Sequence, residues 1–343
     1  MRDIAGLRRS LLRWFSRSKR ALPWRRTRDA YAIWISETML QQTTVATVVP
    51  YYERFMTRFP NAASLASSAE DEVLALWSGL GYYSRARNLR HAAGQILEMP
   101  GGRFPEDAEA AMALKGVGRY TANAVTSMAY GAPNAVVDGN VRRVLARLHA
   151  TRLRGDSEAQ EKAQALLSTR SPGHWNEALM ELGALICTPR SPRCDTCPVL
   201  AHCRGRDRPE HWSEGKPRPA GVPTIVEMAL VERGGRVLLE RNRDGGLLGG
   251  LYELPHNGLP GRTGESIDLR DRCRGTLLVE AEPLATFRHA ITHHRIEARV
   301  FGARLRGSKA PEGSSFHSLA DVASLPLGGL TRKALRAAGL LVG

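Results

Sequence analysis

Lysine is scarce in this sequence, and arginine takes its place. Only six of the 49 basic residues are lysines, at positions 19, 115, 162, 216, 309 and 333. A covalent mechanism that needs a lysine amine therefore has few residues available. The arginine bias suits bidentate contacts with phosphate, although GC-rich coding produces the same bias.

Long apolar runs and signal-like segments are also lacking. No stretch of 18 or more apolar residues occurs, so we expect no membrane-spanning helix. The first 20 residues are basic and broken by charges, without the apolar core of a secretory signal. Because helical spacing continues beyond them, we expect this segment to form part of a folded domain.

Cysteine is rare outside one short segment. Four of the five cysteines lie within 17 residues, with the spacing C-x6-C-x2-C-x5-C. This spacing is not that of a disulfide framework, and it indicates a metal or cluster site in a reducing cytosol. Four thiolates can hold one zinc ion or one [4Fe-4S] cluster, and the spacing alone does not distinguish them. The four are Cys187, Cys194, Cys197 and Cys203, and the fifth, Cys273, is expected to be an ordinary thiol.

The composition and periodicity that remain predict two domains and a polyanionic partner. A net charge of +15 and a pI near 10.2 make nucleic acid the first candidate. From residue 7 to about 200 the apolar residues recur at helical spacing, and strand-like stretches begin only after residue 222. We predict an all-α domain over 1–206, a linker over 207–222 and a smaller α+β domain over 223–343.

Two short motifs have both a structural and a functional interpretation. The sequence LKGVGR contains two glycines that either present backbone N–H groups to a phosphate or simply join two helices. Asp138 precedes the helical run NVRRVLARL, where a carboxylate is a good N-cap. Because N–H groups at a helix N-terminus stabilise the ionised form, we expect a lowered pKa for Asp138.

Glu37 presents the opposite case. It shares a predicted helical face with Ile33, Leu40 and Thr44, so it is either a solvent-exposed helix-edge residue or a buried acid with a raised pKa. A buried acid beside an ionised carboxylate is the pair that cleavage of an N-glycosidic bond requires. The acid protonates the leaving base, and the anion faces the developing oxocarbenium ion.

Together these segments resemble the helix-hairpin-helix base-excision glycosylases and, within them, the adenine DNA glycosylases of the MutY type. The resemblance is carried by LPWR, WISETMLQQTT, GLGYYSRARNLR, GVGRYTANAV, VVDGNVRRVLARL and MELGALICTPRSPRCDTCPV. It implies excision of a flipped adenine paired with 8-oxoguanine or guanine in duplex DNA. It also implies one [4Fe-4S] cluster per chain, with the loop 187–203, and a Nudix-like C-terminal domain that recognises 8-oxoguanine.

The resemblance further implies roles for individual residues. Glu37 matches the general acid and Asp138 the carboxylate that stabilises the oxocarbenium ion, and Tyr120 and Asn140 match residues that support them. The implied DNA contacts are Arg20, Leu22, Trp24 and Arg25 around adenine, Gln42 and Tyr82 as wedges at the lesion pair, Gly116 and Gly118 at a phosphate, and Thr292 and His293 at the oxidised guanine.

Some positions depart from the pattern of these relatives. Ile291 replaces a phenylalanine before the hydroxyl and histidine, Leu248 stands where tryptophan is frequent, and Lys115 replaces a proline before the hairpin. The loss of an aromatic ring at 291 indicates a weaker or differently built search for 8-oxoguanine. No R-E-x-x-E-E run follows residue 222, so we expect recognition without pyrophosphate hydrolysis.

Two other functions compete with this one. An endonuclease III-like enzyme would remove oxidised pyrimidines and nick the strand through a lysine after the hairpin arginine, but this position is Tyr120. A non-catalytic DNA-binding protein is disfavoured by the presence of both Glu37 and Asp138. We predict a monofunctional adenine glycosylase, a monomer associated with DNA in a bacterial cytoplasm, with contacts to repair or replication proteins.

Overall fold

The computed structural model describes residues 3–212, 220–243, 248–258 and 268–341. The described residues form two compact units. The first lies within Met1–Ser67 and Asn88–Pro217, and the second within Ser68–Arg87 and Arg218–Gly343. No helix in the described part of the chain is long and apolar enough to cross a membrane.

The first unit is helical, as the periodicity predicts. In the first helix, buried Leu7, Leu11 and Phe15 recur every four residues and pack on a core that includes Trp175. The helices in chain order are α1 (Ile4–Ser18), α2 (Ala30–Leu40), α3 (Val45–Arg58), α4 (Ala62–Ala66), α5 (Glu70–Trp77, in the second unit), α6 (Ser84–Glu98, which begins in the second unit), α7 (Ala108–Met112), α8 (Arg119–Tyr130), α9 (Gly139–His149), α10 (Asp156–Leu166) and α11 (Pro172–Leu185).

The second unit contains two three-stranded sheets, in the order β1-β5-β4 and β3-β2-β6. Strand β1 runs parallel to β5, and the other pairs are antiparallel. The elements are β1 (Val222–Leu230), β2 (Arg236–Arg241), β3 (Tyr252–Glu253), α12 (Leu269–Cys273), β4 (Leu277–Ile291), β5 (His294–Leu305), β6 (Ser314–Ser318), α13 (Leu319–Val322) and α14 (Gly329–Ala337).

Side-chain alternation gives this unit a core on each face of its strands. Met228 and Leu230 of β1 pack in one cluster with residues of α14, and Ala229 packs in another with residues of α12. Strands β1 and β2, which flank the turn at Gly234 and Gly235, belong to different sheets. The last helix of the described residues is α14.

The units do not follow the predicted boundaries throughout. Residues 68–87 join the second unit because the hydroxyls of Ser78 and Tyr83 donate to the carbonyl of Leu327, at 2.7 and 3.3 Å. Pro209–Trp212, which we assigned to the linker, is a 3-10 turn of the first unit. The rest of the predicted linker includes residues 213–219, which lie outside the described residues.

Candidate active site

Glu37 lies in the middle of α2, where every residue from Ala30 to Met39 is buried. Glu37 is 3% exposed, and its carboxyl accepts a hydrogen bond at Oε2 from the phenol of Tyr120, at 2.6 Å. Burial raises the pKa of Glu37 to about 7, against the hydrogen bond from Tyr120 and with the added repulsion of Asp138 and Glu177. Of the two interpretations that the sequence allows, Glu37 is therefore the buried acid.

Asp138 is the N-cap of α9, as the sequence predicts. Its carboxylate accepts hydrogen bonds from the backbone N–H of Val141 at 2.6 Å and from the side-chain amide of Asn140 at 3.1 Å. The predicted direction of its pKa shift is wrong, because burial raises the pKa of Asp138 despite these donors and the charge of Arg143. Asp138 is half-buried at the cavity wall, and desolvation there outweighs the stabilisation by N–H groups.

Tyr120 is the second residue of α8, directly after the hairpin arginine. Burial raises the pKa of Tyr120 well above its ordinary value, so the phenol keeps its proton and donates a hydrogen bond to Glu37. Lys115 lies before the hairpin on the exposed surface, and its backbone N–H donates to Gln95 at 2.7 Å. The side chain beside the acid is thus a phenol rather than an amine.

These groups share a cavity of about 760 Å³ in the first unit. A cavity of this size is typical of a small-ligand site, and here most of the lining residues are polar or charged. The structure brings together the predicted catalytic residues and many of the predicted contacts. The cavity is lined by Glu37, Tyr120, Asp138 and Asn140, and by Arg20, Leu22, Trp24, Arg25, Gln42 and Gly118.

Alternating charges form one wall of this cavity. Arg28, Glu177, Arg25, Glu181 and Arg20 follow one another, with N–O distances of 3.7, 3.5, 3.0 and 2.6 Å. Although burial opposes the shift, hydrogen bonds from Arg20 and Arg25 lower the pKa of Glu181 to about 2. Neither Glu177 nor Glu181 was predicted from the sequence. Their spacing of four residues on α11 put them on one helix face, but their partners are distant in sequence.

Of the two hairpin glycines, Gly116 and Gly118, only Gly116 has a backbone conformation and surroundings that require glycine. Gly116 has a φ of +78°, and a Cβ there would approach the side chain of Asn88 to 2.7 Å. Gly118 has a φ of −91° and open space around its Cα. It is the N-cap of α8 and supplies no side-chain cap, so the first N–H groups of that helix are left to other acceptors.

The remaining predicted contacts lie on turns. Gln42 is exposed after α2 and has a φ of 61°. In the second unit, Tyr82 is 40% exposed with a φ of 49°, and the guanidinium of Arg85 lies 5.5 Å from its ring centroid. Thr292, with a φ of 53°, and His293 form the exposed turn between β4 and β5. Among the described residues, the cavity lining does not include Tyr82, Thr292 or His293.

Ile291 and Leu248, the two positions of the second unit that depart from the pattern of similar proteins, pack against its core. Ile291, at the end of β4, is half-buried and packs against the apolar cluster of β1, β5 and α14. Leu248 packs against the same cluster. An aliphatic side chain at 291 therefore contributes to folding, whereas the neighbouring Thr292 and His293 stay exposed.

The four clustered thiols fit an iron–sulfur cluster. Burial raises the pKa of Cys197 to about 11, and repulsion from the other three thiols adds to this shift, so the four lie within electrostatic range. The guanidinium of Arg147 donates to Sγ of Cys187 at 3.2 Å. No three His, Cys, Asp or Glu side chains converge on a single ion in the described part of the chain. A [4Fe-4S] cluster does not require such convergence, because each thiolate binds its own iron.

Three family models match the sequence, in the predicted order. Residues 35–169 match the HhH-GPD superfamily base excision DNA repair proteins, and residues 187–203 match the iron-sulfur binding domain of endonuclease III. Residues 227–337 match the NUDIX domain. The predicted fold class, a helix-hairpin-helix domain with a cluster loop followed by a Nudix-like α+β domain, is confirmed, and so is the [4Fe-4S] cofactor.

Curated relatives are adenine DNA glycosylases. The protein of Rattus norvegicus is 45% identical over 248 residues, which cover 67% of this chain and 47% of the relative. The protein of Homo sapiens is 47% identical over 222 residues, which cover 61% of this chain and 41% of the relative. The protein of Arabidopsis thaliana is 34% identical over 359 residues, covering 87% and 57%. The chain spans about half the length of the curated relatives it matches.

Solved structures share the fold of the helical unit. A thermostable thymine-DNA glycosylase is 29% identical with a TM-score of 0.56, covering 60% of this chain and 97% of its own. Endonuclease III in a non-covalent DNA complex is 25% identical with a TM-score of 0.53, covering 60% and 96%. The helical unit thus resembles the HhH-GPD superfamily of base excision DNA repair proteins, and the curated relatives that the chain matches are adenine DNA glycosylases.

Proposed function

We propose that this protein is a monofunctional DNA glycosylase that removes adenine paired with 8-oxoguanine or guanine. The observation that carries the proposal is the cavity shared by Glu37 and Asp138, with a phenol at position 120. The names of the curated relatives support adenine as the base. The charge of +15 supports duplex DNA as the substrate.

Glu37 is the proposed general acid. The target adenine must leave the duplex to enter the cavity. With a pKa of about 7, Glu37 holds a proton in a large fraction of molecules at neutral pH. Because the phenol of Tyr120 donates to Oε2, the other oxygen is left to carry the proton that passes to N7 of adenine.

Asp138 is the proposed stabiliser of the sugar cation. As the bond from C1′ to N9 breaks, its electron pair stays with the protonated base and positive charge develops on the sugar. The carboxylate of Asp138, held by Asn140 and by the N–H of Val141, faces that charge. Glu37, now ionised, accepts a proton from the water that attacks C1′. The products are free adenine and an unbroken abasic strand.

Other parts of the chain are proposed to bind DNA and the cofactor. Thr292 and His293 would read 8-oxoguanine, Gln42 and Tyr82 would enter the base stack, and the hairpin backbone at Gly116 and Gly118 would bind a phosphate. Cys187, Cys194, Cys197 and Cys203 would hold the [4Fe-4S] cluster, and their sulfur–iron bonds would hold residues 187–203 together. We also propose that the protein is a monomer in a bacterial cytoplasm and that it binds repair or replication proteins.

The alternative is an endonuclease III-like glycosylase and lyase, which the fold similarity to endonuclease III favours. A lyase of that class forms a Schiff base through a lysine, and the phenol of Tyr120 cannot form one.

A single-turnover assay separates the two functions. We expect excision of adenine opposite 8-oxoguanine, with strand breakage only after alkali and no covalent adduct after borohydride reduction. A duplex with thymine glycol should remain uncut. Efficient borohydride trapping together with cleavage at thymine glycol would contradict the proposal and support the alternative.

A further inference from the structure

Arg147 is a fully buried arginine in the last turns of α9, with only 2% of its surface exposed. Arginine is almost never buried to this degree unless its charge is compensated. Its guanidinium lies close to the cysteine loop.

The side chain of Arg147 reaches the start of the cysteine loop. The guanidinium donates to the carbonyls of Cys187, Thr188 and Pro189, at 3.2, 2.7 and 3.1 Å. It also donates to Sγ of Cys187 at 3.2 Å and to the carbonyl of Pro209 at 2.8 Å. A single planar cation thus fixes the backbone around the first cysteine and contacts its sulfur directly.

The backbone of Arg147 meets the other end of the same loop. Its carbonyl accepts a hydrogen bond from the N–H of Gly205 at 2.9 Å and lies 3.5 Å from Sγ of Cys203, which donates to it as a free thiol. A Cβ at Gly205 would lie 2.6 Å from that carbonyl, so the close approach requires glycine. One residue therefore contacts the first and the last cysteine of the motif.

We propose that Arg147 is a positioning residue for the iron–sulfur cluster. By holding Cys187 it retains the cluster in the protein, and its charge raises the reduction potential of the cluster. A cluster bound by four thiolates carries net negative charge, and reduction adds one more electron. A buried cation beside one of the sulfurs favours the reduced state, and its N–H donors keep that thiolate in place. This assignment does not depend on which base the protein excises.

Neighbouring arginines on α9 provide the contrast. Arg143 donates to the carbonyls of Cys187 and Gly183 and to the side chain of Asn140, so its contacts are with backbone and with the active site. Arg142 faces away from the loop and pairs with Asp156 at 2.9 Å. It is the matched control for removing one positive charge from this helix.

The experiment compares Arg147→Gln, Arg147→Lys and Arg142→Gln in the full chain. Each purified protein is assayed for iron per chain, for the rate at which a ferrous chelator removes the cluster, and for reduction potential by voltammetry. We expect cluster loss about 10- to 100-fold faster in Arg147→Gln, with a lower potential. Arg147→Lys should keep the reduction potential near that of the wild type but lose iron faster, because an ammonium cannot make all the hydrogen bonds of the planar guanidinium. Arg142→Gln should match the wild type.

Wild-type loss rates and potentials in both variants at position 147 would overturn the proposal. An unchanged potential in Arg147→Gln, with faster loss, would overturn its electrostatic part. If Arg147→Gln fails to fold, Arg147→Lys decides, because a loss rate equal to that of the wild type would contradict the positioning role.

Discussion

The two units hold their predicted DNA contacts in different ways. In the first, all the predicted residues except Gly116 line one cavity, and Glu37 is buried. In the second, Tyr82, Thr292 and His293 lie on turns and are exposed. Acid catalysis by Glu37 needs desolvation, which raises its pKa, whereas recognition of a large partner needs accessible groups. Changes in the first unit should therefore affect bond cleavage, and changes in the second should affect the choice of base pair.

The largest effect is expected from Glu37→Gln, which places an amide where the cavity needs an acid. The single-turnover rate of adenine excision should fall by about 10²- to 10⁴-fold, while DNA binding stays within roughly threefold. Glu53→Gln makes the same change at an exposed site of α3 and should leave the rate unaltered. Retention of substantial excision by Glu37→Gln would show that the cavity does not act through this carboxyl.

The same substitution should make the first unit more stable at alkaline pH. The folded pKa of Glu37 is about 7, above its ordinary value of 4.5. Below pH 4.5 the carboxyl is protonated in both the folded and the unfolded state, so it does not destabilise the folded state. As the pH rises from 4.5 to about 7, ionisation in the unfolded state increasingly favours unfolding, and this destabilisation is complete above pH 7. Glu37→Gln should raise the free energy of unfolding by about 2–3 kcal/mol at pH 8 and by almost nothing at pH 4. Denaturant titrations at both pH values measure this, and an equal effect at each would refute it.

Gly116→Ala tests the backbone beside the cavity. A left-handed residue with a Cβ in contact with Asn88 should lower the free energy of unfolding by about 1–2 kcal/mol and weaken DNA binding. Gly118→Ala is the matched control, since its φ of −91° and open surroundings accept a side chain. Denaturant unfolding and duplex titrations should separate the two variants, and equal behaviour would disprove the difference between the glycines.

Tyr120→Phe tests how the phenol of Tyr120 affects the pH dependence of adenine excision. The rate of excision should decline as pH rises through about 7, because Glu37 loses its proton there. The hydrogen bond from Tyr120 lowers the pKa of Glu37, so its removal should move this decline to higher pH. We expect a rate loss of roughly tenfold near neutrality, smaller than that of Glu37→Gln. An unmoved pH profile would mean that another group controls the decline.

The smallest effect is expected in the second unit. His293→Ala should leave excision from an A:G pair within about twofold, and it should reduce the preference for 8-oxoguanine by roughly 3- to 10-fold, the value of one hydrogen bond. His317→Ala, elsewhere in that unit, should change neither. An equal loss on both base pairs would contradict the division of roles between the units.

Local patterns predicted much of this molecule. Apolar spacing identified α1, α2, α9 and α11, and Asp138 was correctly identified as an N-cap. The resemblance named the residues that line the cavity, and their catalytic and binding roles remain predictions. Periodicity alone could not choose between an edge and a buried position for Glu37, because that choice depends on helices that pack against α2 from elsewhere in the chain.

What failed depended on burial and on distant partners. The pKa of Asp138 moves opposite to the prediction because the capping geometry is local but desolvation is not. The charged wall was missed because Glu181 pairs with Arg20 and Arg25, far away in sequence. Residues 68–87 were assigned to the helical domain because helical spacing does not reveal that Ser78 bonds to Leu327.

Gln42, Tyr82 and Thr292 share a property that links recognition to heat resistance. In the described part of the chain they are three of five non-glycine residues with a positive φ. Each such backbone costs about 1–2 kcal/mol and is set when the chain folds, before any duplex arrives. Glycine at any of these sites would relieve that cost. Selection for survival at high temperature should therefore favour glycine at these turns, and the protein would withstand heat better while finding damaged pairs less well.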